Sequence, residues 1–207
     1  MATYKINFRH LNKQLNEFAL SRLTDFCRFV DTGMAESSRK IDEEQERLAR
    51  EGKDQDEHYR FLYEGKLEGD SETLAIVHEL AGQLAVLALN HQIENRTKAL
   101  IQSHNAKSAE SLKYKDYEKF QALLLKRLGV NAKAIPGEDA VNEVRLVANS
   151  IKHEDGKVSK ALAKEYPAWK KGKVMQGLME FSQVRERDAK AYLDGLVDVL
   201  ISDNGKD

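Results

Sequence analysis

The sequence predicts an all-α protein, an antiparallel helical bundle with a long charged helix or arm near its N-terminus. Three observations predict it. Apolar residues recur at steps of three and four in five separate segments. Only two prolines, Pro136 and Pro167, interrupt 207 residues, which leaves room for long helices. Charged residues make up 32% and apolar residues 41%, a balance that suits amphipathic helices with one dry face. The length is that of one domain and no linker divides it, so residues 1–207 are read as a single helical domain.

The elements follow in order. Tyr4, Ile6 and Phe8 alternate, as in a short extended arm over residues 2–8. A first helix is expected from about Leu11, with Leu11, Leu15, Phe18, Leu23, Phe26 and Val30 at helical spacing. It continues to Glu51 through the charged stretch from Arg39, which has few apolar anchors and reads as a solvated helix or arm. Gly52 to Asp56 should break it, and a short helix over Glu57 to Tyr63 should end at the Gly65 and Gly69 pair. Asp70 and Ser71 are good cap types for a long helix from Glu72 to His104. Leu80, Leu84, Leu87, His91 and Glu94 form one stripe along it.

A fourth helix is expected over Tyr114 to Leu128, ended by Gly129. Pro136-Gly137-Glu138-Asp139 opens the next, which runs to about His153 and stops at Asp155-Gly156. Ser159 to Glu165 reads as a short helical turn before Pro167. The last helix should span Gln183 to Ile201, with Tyr192, Leu193, Leu196, Val197 and Leu200 inward, before a frayed tail from Ser202. No repeat, low-complexity tract or coiled-coil heptad stands out. Short connections favour antiparallel neighbours.

Composition excludes several chemistries. Net charge is −1, so no domain-wide basic field drives nucleic-acid binding. The one cysteine, Cys27, lies in an apolar run and reads as a buried hydrophobe; it forms no internal disulfide or multi-cysteine zinc site. No histidine has a Glu three residues before it, which removes the di-iron pair of helical bundles. No phosphate-binding glycine loop occurs, and no metal or cofactor is expected. No apolar run approaches the roughly 18–20 residues of a membrane span. No signal-peptide region opens the chain. The protein is therefore expected in the cytoplasm, away from membranes.

Two places carry candidate chemistry. On the long middle helix His91 and Glu94 extend an apolar stripe. They are read either as a satisfied core pair or as a carboxylate that orients a catalytic group on a neighbouring helix. On the helix that ends at His153, Val141, Val144, Val147, Ala148 and Ile151 share the core face at 100° per residue. Arg145, Asn149 and His153 step by four and form a polar stripe, flanked by Asn142 and Leu146. A leucine there implies that this second face is covered too, by the same chain or by a partner subunit. A cation, an amide and an imidazole in line can hold a phosphate and move protons. The alternative is a helix end decorated by Lys152 and His153, which favour the negative end of the dipole.

Asn149-Ser-Ile-Lys-His153-Glu-Asp-Gly156 resembles the end of the motif helix in HEPN domains. That helix typically carries an Arg, often a polar residue directly after it, and a His about four to six residues on. Asn149 and His153 match the polar residue and the His; Ala148 stands where the Arg would be, and Arg145 lies a turn earlier. The resemblance implies a dimeric helical bundle with motif helices facing across the dimer, which would place Leu146 and Asn142 at the interface. It implies a metal-independent ribonuclease with His153 as general acid or base, Asn149 orienting it and Arg145 as a displaced phosphate clamp. It also implies a phage-defence or toxin–antitoxin setting, with RNA or a cognate protein as partner. Glu94 matches an acidic residue that often ends the helix before the motif. The alternative reading is a non-catalytic helical interaction or scaffold module, as in HEPN members that lack the Arg.

Overall fold

The computed structural model describes residues 8–51, 56–105 and 117–203. Six α-helices account for most of them: α1 Phe8–Glu51, α2 Glu57–Asn105, α3 Tyr117–Leu128, α4 Glu138–His153, α5 Lys160–Glu165 and α6 Leu178–Asp203. A 3-10 turn spans Ala132–Ala134, and among the described residues no strand occurs, only an isolated bridge between Lys157 and Val174. The all-α expectation holds. The expected extended arm over residues 2–7, the break at Gly52, the start of the expected fourth helix at Tyr114 and the tail from 204 lie outside the described residues, whereas Ser202 and Asp203, expected in the frayed tail, belong to α6. Phe8, expected in the arm, already belongs to α1.

The largest correction is in α2. The short helix, the glycine break and the capped long helix are one helix of 49 residues, with Gly65, Gly69, Asp70 and Ser71 inside it. Its N-cap is Asp56, whose Oδ1 accepts from His58 N at 2.9 Å and Tyr59 N at 3.3 Å. A glycine inside a helix costs about 1 kcal/mol. Packing against α1 offsets that cost here: Leu67 on α2 and Leu48 on α1 are buried, and Tyr63 Oη donates to Glu44 at 2.8 Å. α2 also holds an 18-residue window of mean hydropathy 1.4, which the expectation of no membrane-length apolar segment missed. Only 28% of that window is buried.

Cross-contacts fix how the long helices lie. Tyr63 meets Glu44, His78 approaches Asp31 and Arg96 meets Asn16, so α2 runs back along α1. Thr24 donates to Glu186, Asn16 to Asp194 and Lys13 to Asp198, so α6 also runs back along α1. α6 starts at Leu178, five residues earlier than expected, because Leu178, Met179 and Ser182 bury themselves at its first turns. α2 and α6 come close at Gly82 of α2, where a Cβ would stand 2.8 Å from Met179 N. Further along, α1 and α2 stay paired with each other, as Tyr63 with Glu44 shows, and the charged stretch from Arg39 forms one side of that arm. Its ion pairs, such as Arg39 with Glu43 and Lys40 with Glu36, are exposed and contribute little stability.

The main core gathers Leu20, Leu23 and Cys27 of α1, Ala85, Leu89 and Ile93 of α2, Phe120 and Leu124 of α3, and Val141 and Val144 of α4. Tyr192, Leu193, Leu196, Val197 and Leu200 of α6 complete it, as expected. A second cluster joins Val86 of α2 to Leu146, Val147 and Ala148 of α4 and to Val158, Leu162 and Met175 beyond it. The row expected on α1 is corrected in part: Leu23 is buried and Val30 packs on the core, but Leu11, Leu15, Phe18 and Phe26 are exposed, whereas Asn12 and Asn16 are buried. Asn16 donates to Asp194 Oδ1 at 3.0 Å and accepts from Arg96 Nε at 3.0 Å, and burial lowers the Arg96 pKa. A slipped register would strip these buried groups of their partners, which is costly.

Candidate functional site around the fourth helix

α4 begins where the chain needs a glycine. Gly137 has φ +79°, and a Cβ there would stand 2.1 Å from the Asp188 carbonyl oxygen of α6. Glu138 and Asp139 follow in the first turn, where acidic side chains favour the positive end of the helix. Val141, Val144, Val147 and Ala148 are buried as expected, and Ile151 packs half-buried on the second cluster. At the other end Ser150 is fully buried; its Oγ donates to Leu146 O at 2.9 Å and accepts from Ser159 N at 3.3 Å. Asp155 and Gly156 turn at φ 50° and 74°, ending α4 as expected. Ser159 then caps α5 by accepting from Leu162 N.

Leu146 is buried by its own chain, against Val158 and Leu162. The dimer contact expected through Leu146 and Asn142 therefore has its apolar residue already covered within one chain. Asn142 is engaged locally too, donating to Tyr166 Oη at 3.3 Å. Tyr166 Oη donates to Asp139 O at 2.7 Å, and burial, with the Asp139 hydrogen bond and charge adding to it, pushes its pKa well up.

The predicted polar stripe is divided. Arg145 is half-buried; its Nε and Nη2 donate to Asn142 Oδ1 at 3.3 and 2.8 Å, and its guanidinium lies 5.1 Å from the Tyr117 ring centre. It lines an open cleft of about 560 Å³ with Tyr117, Lys133, Asp139, Lys164 and Glu165. Neither Asn149 nor His153 lines this cleft. His153 is exposed in the last turn of α4, about 12 Å along the axis from Arg145 at 1.5 Å per residue. Asn149 is half-buried between them.

The second expected pair does not reach α4. His91 is exposed and meets Asn95 on its own helix at 2.8 Å. Glu94 is half-buried, accepts from Asn90 at 3.1 Å and lies 3.9 Å from Lys98. The stripe they extend is not a core face, since Leu80 and Leu84 are exposed.

Sequence reasoning missed two buried carboxylates on α4. Glu138, which lines the cleft, accepts from Tyr117 Oη at 3.0 Å and from Gln121 Nε2. Burial, the nearby Tyr192 and the Glu138 charge all push the Tyr117 phenol far up. Glu143 is buried, pairs with Arg185 of α6 and accepts from Trp169 Nε1 at 2.7 Å. Burial alone would lower the Arg185 pKa, but its bond to Asp188 and the charge of Glu143 raise it overall. Both carboxylates are thus satisfied by structural partners. Among the described residues no group of three or more His, Cys, Asp or Glu is placed to hold a metal ion. No known protein family, curated protein or solved structure matches the chain.

Proposed function

We propose that this chain is a non-catalytic helical interaction protein, built as a HEPN-like antiparallel bundle with a projecting two-helix arm. The observation that carries this reading is the division of the polar stripe. Acid–base catalysis on a phosphate needs its groups within hydrogen-bond reach of one reacting centre. Arg145 is held by Asn142 and Tyr117 in one cleft, while His153 stands exposed about two turns further along. The apolar surface left bare on α1 and α2 supports the same reading, because contiguous exposed apolar faces mark contact sites.

A metal-independent ribonuclease in a defence or toxin–antitoxin setting is the second reading. The cleft beside Arg145 is what speaks for it, because Lys133 and Lys164 add positive charge there, although Glu118, Glu138, Asp139 and Glu165 oppose it. One experiment separates the two. Purified chain is incubated with single-stranded and structured RNA in chelator, alongside His153→Ala. The interaction reading expects no cleavage by either. Cleavage by the wild type that disappears in His153→Ala overturns it.

A further inference from the structure

The outer side of the α1–α2 pair carries more bare apolar surface than a monomer ordinarily leaves. On α1, Leu11, Leu15, Phe18, Phe26 and Phe29 are exposed, Phe29 at 78% and Phe18 at 59%. On α2, Ile76, Val77, Leu80 and Leu84 are exposed, three of them by more than half. At 100° per residue each set forms one stripe. On α1 the residues that meet α6, Thr24, Cys27 and Asp31, lie on the other side of the α2-facing row from the stripe. On α2 the α6-facing Gly82 likewise lies on the far side of the α1-facing Ala81 and Ala85 from Leu80 and Leu84. Both stripes therefore share the side of the pair turned away from α6. The His78–Asp31 approach sets their levels, putting Phe26 and Phe29 beside Leu80 and Leu84.

Resting on the interaction reading above, we infer that this face is the contact between two copies of this chain. The area argues for it. The nine exposures add up to between four and five fully exposed large side chains. At roughly 150–250 Å² for an aromatic and somewhat less for an aliphatic chain, that is on the order of 800 Å². A single protomer brings about 800 Å² to an interface of standard size, whereas the largest patch on a typical monomer is about 300–600 Å². The arrangement is also self-complementary. A two-fold axis along the helices sets Phe26 and Phe29 of one copy opposite Ile76, Leu80 and Leu84 of the other at the same level, and reciprocally. The result is a four-helix layer whose two aromatic–aliphatic seams lie at the level of Phe26 and Phe29, with Leu11, Leu15 and Phe18 at the level of His91, Glu94 and Lys98. Arg22, the one charge within the α1 stripe, lies 4.8 Å from the Phe18 ring centre and covers part of it.

The test is sedimentation of the full chain over a concentration series, with Phe29→Asp, Leu80→Asp and, as control, Val184→Asp. Val184 is equally exposed but lies on α6. All three sites are solvent-facing, and circular dichroism checks that folding is kept. The expected result is a wild-type dimer, an unchanged control, and a Kd raised roughly thirtyfold or more by each face variant, as for a charge forced into a dry contact. A monomeric wild type, or a dimer indifferent to both face variants, overturns the inference. So does a monomer that floats with phosphatidylcholine–phosphatidylglycerol vesicles through Phe29 and Leu80, since the face would then meet a membrane. A monomer without RNA cleavage sinks only the self-association. RNA cleavage lost in His153→Ala sinks the interaction reading whatever the oligomer.

Discussion

Replacing Glu143 by Ala should destabilise the fold more than any other single change to a charged residue on α4. Removing one partner of a buried ion pair costs about 3–5 kcal/mol when the other charge is stranded. Here Arg185 is 30% exposed and keeps Asp188 at 3.0 Å, so about 2 kcal/mol is the better figure. Trp169 Nε1 loses its acceptor, which adds about 1 kcal/mol. A chain of this size loses about 2–4 °C per kcal/mol, so the melting temperature should fall by roughly 6–12 °C. Far-ultraviolet circular dichroism measures the fall. Trp169 is the only tryptophan, so its emission reports the site directly. Glu143→Gln keeps an acceptor for the indole and should shift the emission less than Glu143→Ala. A melting temperature within about 2 °C of wild type, with unchanged emission, would refute the claim that this network holds α4 to α6.

Gly137→Ala should cost roughly 2–4 kcal/mol in urea unfolding, since both the positive φ and the Asp188 carbonyl oppose a Cβ. Leu146→Asp should unfold the region around α5 and lower stability by about 3 kcal/mol or more, because the leucine is buried within the chain; a stable variant altered only in oligomeric state would restore it to an interface. His153→Ala should change stability by at most about 1 kcal/mol, the scale of an exposed charge at a helix end, as read from the same unfolding curves. The pKa values of Tyr117 and Tyr166 are raised above the ordinary 10.0. The folded state therefore holds these protons more tightly, and stability is intact below pH 10 and falls as pH climbs past it. Tyr166→Phe should flatten that alkaline fall in urea titrations, and an unchanged slope would count against the assigned environment.

The helices were legible because their signals are local. Gly129 at the end of α3, Asp155-Gly156 after α4, Ser159 before α5 and the apolar face of α6 all act within a few residues of where they are read. α2 was misread for the opposite reason. Gly65 and Gly69 weaken a helix locally, but what holds it there is α1, whose contact residues are about 20 positions away at Leu48 and Glu44. Periodicity also could not choose between two rows on α1. Leu11, Leu15 and Phe18 keep helical spacing as well as Leu20 and Cys27 do, and Leu23 fits with either set. The buried row runs on through Asn12 and Asn16, which look like surface until Arg96 and Asp194 arrive from other helices.

On α4 the wheel held more than it was asked. Once Val144 and Val147 face the core, Glu143 falls at 100° per residue between Ala140 and Ser150, both buried. A carboxylate in that position must be paired or lose its charge, so its burial was readable from the sequence. The identity of the partner was not, because Arg185 lies 42 residues on and nothing local points to it. The Arg145, Asn149 and His153 stripe shows the converse. Its spacing by four was real, and all three residues do lie along one line of the helix. A line along a helix axis spreads its members by about 6 Å per step, however, whereas a catalytic centre gathers its groups around one point. Residues that share a stripe converge on a substrate only when a second element supplies the missing group from across a cleft. The cleft beside Arg145 draws its facing groups from Tyr117, Lys133 and Lys164, and His153 is not among them.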